Sequence, residues 1–226
     1  MELYLCSMQL WKEVKWLIYK DATLEWRSKF AINGILLYVV STIFVCYQAF
    51  RSLEPTTWNV LFWIILLFAS INAMSRSFVQ EPENRQLYYY TLVRPQAVIL
   101  SKILYNVMLM IGLSVIAYLF YNLIFQNPLA DPMLYFTAIV LGSISFATVF
   151  TMISGISAKA GNNATLMAVL SFPVIIPLLI VLTTLSNQAM NGAARSESIP
   201  ELVVLLAINI ITVAISLLLF PYLWRD

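Results

Sequence analysis

Six apolar runs leave this chain few folds to choose from: roughly Phe30–Phe50, Trp58–Met74, Ala97–Phe125, Met133–Ile156, Ala164–Leu185 and Leu202–Leu223. A run of about 20 apolar residues crosses a bilayer as a helix, because a helix satisfies its backbone hydrogen bonds internally. Hydrophobic residues make up 61% of the sequence and charged residues 11%. The pattern predicts an all-α integral membrane protein with six transmembrane helices, a single domain over 1–226. No stretch is left for a separate soluble domain. The formal charge of +2 is spread among loops, so it points to no nucleic-acid partner.

Basic residues set the expected orientation. With the N-terminus inside, eleven of the thirteen Lys and Arg residues fall on the cytoplasmic side, and only Arg51 and Arg195 lie outside. That distribution obeys the positive-inside rule and places both termini in the cytoplasm. The outer loops hold acids instead: Glu54, Asp131, Glu197 and Glu201.

Ahead of the first span, Ser7–Ala22 places Leu10, Trp11, Val14, Leu17 and Ile18 on one helical face. Lys12, Glu13, Lys15, Tyr19 and Lys20 occupy much of the other. This spacing predicts an interfacial helix at the membrane surface. A signal peptide is the alternative, but no small-residue cleavage site follows a short apolar core.

The longest polar interval, Ser77–Pro95 (SFVQEPENRQLYYYTLVRP), carries Glu81, Glu83, Arg85 and Arg94 between two prolines. Pro82 suits the first turn of a helix, and acids beside a helix N-terminus are favoured by its dipole. Pro95 disfavours helical geometry at Arg94, so a short helix over 81–94 ends there and the next begins. Leu87, Tyr88, Tyr90, Thr91 and Leu92 give this segment an apolar, aromatic surface. Two readings fit: docking into a groove on a partner protein, or lying among lipid headgroups.

Elsewhere, Trp58 and Trp63 are expected at the outer interface. Ser70, Asn72 and Ser75 are expected to bond between helices. The third run is long, and Lys102, two turns in, implies a start that projects from the membrane or snorkels to its surface. Gly142, Ser143, Ser145, Ala147, Ser154 and Gly155 let the fourth span approach its neighbours closely. In the fifth, Pro173 and Pro177 each remove a backbone hydrogen bond, so the helix is expected to bend or open. Ser186–Glu201 reads as the longest outer loop, with room for a short helix.

Enzyme chemistry finds no foothold. The chain has no histidine, which excludes Ser–His, Cys–His and HExxH arrangements. There is no GxxxxGK[ST] phosphate loop, and every acid sits at or beyond a span end. Cys6 and Cys46 show no metal or redox motif and are poorly placed to pair. Any driven transport must draw its energy from another subunit.

Three stretches carry a family resemblance: FASINAMSRSFVQEPENRQLYYYTLVRPQAVILSKIL, the turn SAKAGNN, and the paired-proline SFPVIIPLLIVLTT. In order and spacing they resemble the CcmB-like membrane subunits of the bacterial haem-exporter system for cytochrome c maturation, an ABC-2-like permease family. The resemblance covers nearly the whole chain. It implies an elbow helix over 7–22, and a coupling helix over 81–94 seated on an ATP-binding-cassette ATPase. Glu81, Glu83, Arg85, Leu87 and Tyr88 would be the coupling residues, and Pro173 and Pro177 the helix-opening ones. The implied partners are that ATPase, a haem-handling membrane subunit with a small helper, a periplasmic haem chaperone, and a second copy of this chain. ATP would then be bound by the partner, haem handled by the complex, and no cofactor held by this chain. The implied location is the bacterial inner membrane. A generic ABC-2 permease for lipid, polysaccharide or drug export would share these parts, and a non-transporting membrane scaffold would share the docking segment.

Overall fold

The computed structural model describes residues 2–28, 30–50, 53–75, 77–78, 93–125, 129–159 and 164–225. Within them lie seven helices: α1 (Glu2–Ser28), α2 (Phe30–Ala49), α3 (Pro55–Met74), α4 (Pro95–Ile124), α5 (Pro132–Lys159), α6 (Ala164–Asn191) and α7 (Ile199–Arg225). Six of them, α2 to α7, are long and apolar enough to cross a membrane. Prolines open α3, α4 and α5 at the first helical position, where the missing N–H costs nothing. Arg94 is extended (φ −67°, ψ 136°), as the proline that follows it requires.

Helix α5 is the hub, touching α3, α4, α6 and α7. Its small residues explain why: Gly142, Ser143, Ser145, Ala147, Ser154 and Gly155 are all buried. At Gly142 the approach is closest. A Cβ there would stand 2.6 Å and 2.7 Å from the Trp63 ring of α3, and 3.0 Å from Leu182 of α6. The indole Nε1–H of Trp63 donates to Ser186 Oγ of α6 at 2.8 Å. One tryptophan thereby ties three helices together.

Both tryptophans near the start of α3 face the bundle interior. Trp58 and Trp63 are buried in the bundle, where Trp58 packs with Phe62, Tyr121 and Tyr135. Trp63 satisfies its polar edge through Ser186, while the buried Trp58 Nε1–H has no acceptor among the described residues and is held by aromatic packing. The interhelical polar contacts differ from expectation. Ser70, Asn72 and Ser75 bond back to carbonyls of their own helix. Cross-helix bonds come instead from Asn106 to Thr151, Asn209 to Ser145, Ser143 to Ser114 and Asn59 to the Thr183 carbonyl. A polar group in an apolar bundle must find a partner, and only one that faces a neighbouring helix can find it across the interface.

The interval expected as the longest outer loop is mostly helix. Helix α6 runs on to Asn191 and only residues 192–198 form the turn. No Gly or Pro interrupts residues 186–191, and Gly192, with a φ of 66°, provides the left-handed stop. Ser186 is held by Trp63, and Gln188 donates to Glu201 of α7 at 3.0 Å. Across this end, Arg195 pairs with Asp131, its Nε 2.9 Å from Oδ2. Asp131 also caps α5, accepting from the N–H groups of Met133 and Leu134 at 3.1 Å each.

The Arg195 hydrogen bond, then the Leu134 N–H, hold the Asp131 carboxyl below its ordinary value of 3.8. A carboxylate lowered by folding contributes stability that is present above its unfolded pKa and lost as pH falls through the folded one. Asp131→Asn is therefore expected to lessen the loss of thermal stability on acidification below pH 3.8. Added salt should also weaken the wild-type contribution, because the pair is exposed. An unchanged acid limb in the variant would contradict this account of the clamp.

Candidate coupling platform at the α1 end

Helix α1 was expected to turn its apolar face to the membrane. Instead, Val14 and Leu17 are buried in a second core with Ala97, Val98, Ile99 and Ile103 of α4 and Phe220 of α7. Trp11 is left 60% exposed. Asp21 explains the choice of face. It lies four residues beyond Leu17 and seven beyond Val14, on the same helical stripe, and is 7% exposed. Its Oδ2 sits 3.1 Å from Lys102 Nζ, and its Oδ1 3.3 Å from Lys20 Nζ. One turn further along, Tyr105 donates to Glu25 Oε2 at 2.8 Å. Lys102 is thus buried against α1, not snorkelling to a surface. A buried ion pair adds little net stability but favours one register between two helices, since a shifted register would part Lys102 from Asp21.

The platform holds both ends of the stretch 79–92. On the leading side, Ser77 Oγ accepts from Asn106 Nδ2 at 3.0 Å, while the same amide reaches Thr151 of α5 at 2.7 Å. Phe78 packs on Phe220 at 5.8 Å between ring centroids, and Lys102 Nζ lies 5.9 Å from the Phe78 ring. A Cβ on Gly155 would meet that ring at 3.5 Å. On the trailing side, Val93 packs on the second core and Arg94 leads into α4. These contacts connect the residues flanking the stretch to α1, α4, α5 and α7.

The sequence-predicted coupling residues Glu81, Glu83, Arg85, Leu87 and Tyr88 lie outside the described residues. Pro173 and Pro177 lie inside the continuous helix α6 and both face outward, exposed. Lacking N–H groups, they leave the carbonyls of Val169 and Pro173 without their helical donors. Asp21, Phe78, Asn106 and Phe220 were not singled out from the sequence. Asp21 alone carried a readable signal, an acid on the apolar stripe of a basic helix.

Among the described residues, no group of three His, Cys, Asp or Glu side chains could hold a metal ion. Six long apolar spans around a polar-stitched hub define a multi-pass α-helical membrane protein. The family model described as CcmB protein matches residues 13–223. The chain belongs to that family, the haem exporter protein B family, whose members are membrane subunits of the haem exporter of cytochrome c maturation. No curated protein matches the chain.

Proposed function

We propose that this chain is the mechanical membrane subunit of an ATP-driven complex, and that residues 81–94 receive the force from a partner ATP-binding-cassette ATPase. The observation that carries the reading is the anchoring of both ends of that stretch. Ser77 and Phe78 on one side, and Val93 on the other, connect it to four helices. Glu81, Glu83 and Arg85 would set the charge match to the ATPase, and Leu87 and Tyr88 would fill its groove. Pro173 and Pro177 would let α6 bend as the force arrives. In this reading ATP stays on the partner, haem is handled by the assembled complex, and this chain holds no cofactor and performs no catalysis.

The other partners are a haem-handling membrane subunit with its small helper, a periplasmic haem chaperone released in loaded form, and a second copy of this chain. The setting is the bacterial inner membrane with both termini in the cytoplasm. Leu87→Glu and Tyr88→Glu would place a charge in an apolar seat, with an expected loss of coupling of at least about tenfold, or 1.4 kcal/mol. The measurement is ATPase turnover of the purified complex together with chaperone release. Hydrolysis should continue while release fails. Release that keeps pace with hydrolysis in both variants would overturn the assignment.

A further inference from the structure

The outward side of α1 is left with large aromatic and basic groups. Trp16 is 73% exposed and Tyr19 66%, and Lys12 and Lys15 are exposed beside them. Below them lies an open groove of about 410 Å³ lined by Lys12, Glu13, Trp16, Leu17, Lys20 and Val93. Glu13 is the one carboxylate among these lining residues. Lys20 is held by Asp21 at 3.3 Å. The groove therefore presents the Lys12 ammonium for an anion and the Glu13 carboxylate for a cation, with an indole and two aliphatic side chains as walls.

Depth fixes what can reach it. Helix α4 has 30 residues and is about 45 Å long, against a hydrocarbon core of about 30 Å. Its excess length puts an end at headgroup level. Val14 and Leu17 pack against the first turns of α4, so the groove beside them lies among headgroups and not among acyl chains.

The geometry points to a phosphatidylethanolamine headgroup as the occupant of this groove. Its phosphate would meet Lys12, and its ammonium would donate to the Glu13 carboxylate. Its glycerol backbone would lie along Trp16 and Leu17, with the acyl chains running on into the bilayer. A choline headgroup has no N–H or O–H to offer Glu13, and a glycerol headgroup offers only neutral hydroxyls.

The test uses the full chain in nanodiscs of phosphatidylcholine, doped with phosphatidylethanolamine or with phosphatidylglycerol. Lipid retained after mild delipidation is counted by native mass spectrometry. Wild-type protein should retain phosphatidylethanolamine about tenfold over phosphatidylcholine, as one charge-assisted hydrogen bond implies. Glu13→Gln should lose the preference for ethanolamine over both choline and glycerol, and Lys12→Gln should lower retention of all three lipids, because each carries the phosphate. Each variant should keep the wild-type melting temperature in phosphatidylcholine alone. Equal retention of the three lipids would overturn the proposal. So would a phosphatidylglycerol preference insensitive to Glu13→Gln, which would mark attraction of net anionic lipid only. An undiminished preference in both variants would move the lipid elsewhere and overturn it too.

Discussion

Gly142→Leu is expected to abolish recovery of folded protein, the largest effect of any single change in the bundle. The first added atom alone would stand 2.6 Å from the Trp63 ring. That ring has little freedom to move away. Its Nε1–H is tied to Ser186 at 2.8 Å, and it packs against Phe62 at 5.7 Å and Phe146 at 6.2 Å. Overpacking a tight core costs about 1–3 kcal/mol where neighbours can shift, and more where they cannot, so Gly142→Leu, with three further heavy atoms beyond the clashing Cβ, is expected to exceed that range. The natural control is the same substitution at Gly34 or Gly112, where a Cβ meets nothing within 4 Å. Those variants should be recovered as wild type. Monodisperse yield and denaturant unfolding in detergent are the readouts. Gly142→Ala combined with Trp63→Leu should show strong favourable coupling in a double-mutant cycle, because the second change opens space for the first. Equal behaviour of Gly142→Leu and Gly34→Leu would contradict the packing account.

Breaking the Asp21–Lys102 pair is expected to be almost as damaging, but in a different place. Stranding one member of a buried pair costs about 3–5 kcal/mol, whereas replacing both by apolar residues can be neutral. Lys102→Met should fall toward the lower end, since Lys20 remains 3.3 Å from Asp21. Asp21→Leu should cost more, because it removes the one carboxylate that Lys20 and Lys102 both face. The double variant Asp21→Leu with Lys102→Met should recover most of the loss in stability. Hydrogen exchange along α1 separates the three, with faster exchange over residues 10–25 in the single variants and protection regained in the double one. A double variant as unprotected as Asp21→Leu alone would show that the pair does not hold the helix.

The sequence made the spans legible because hydropathy acts over 20 residues and needs no partner to be read. The hub was legible for a related reason: small side chains cluster on one span, and only closely packed helices benefit from them. What could not be read was which face meets which neighbour. Trp58 and Trp63 carry the same side chain as an interfacial tryptophan, and only the position of Gly142 opposite Trp63 makes the indole an interior residue. Leu10, Val14 and Leu17 form an apolar stripe equally suited to lipid or to another helix. Asp21 on that stripe tips it toward α4, because an isolated carboxylate would be costly against lipid and has Lys102 as a partner in protein. Gln188 and Ser186 looked like loop residues by polarity, yet both are held by long-range bonds that no local pattern reports. The stretch 81–94 is the converse case. The coupling role proposed for it is read from sequence alone, and the structure contributes the contacts on either side of it.

Covalent-haem staining of c-type cytochromes, in cells deleted for this protein and in cells rescued with the intact gene, tests the central claim most directly. The account predicts that all stained bands vanish in the deletion and return on rescue. Unchanged bands in the deleted cells would contradict a role in cytochrome c maturation.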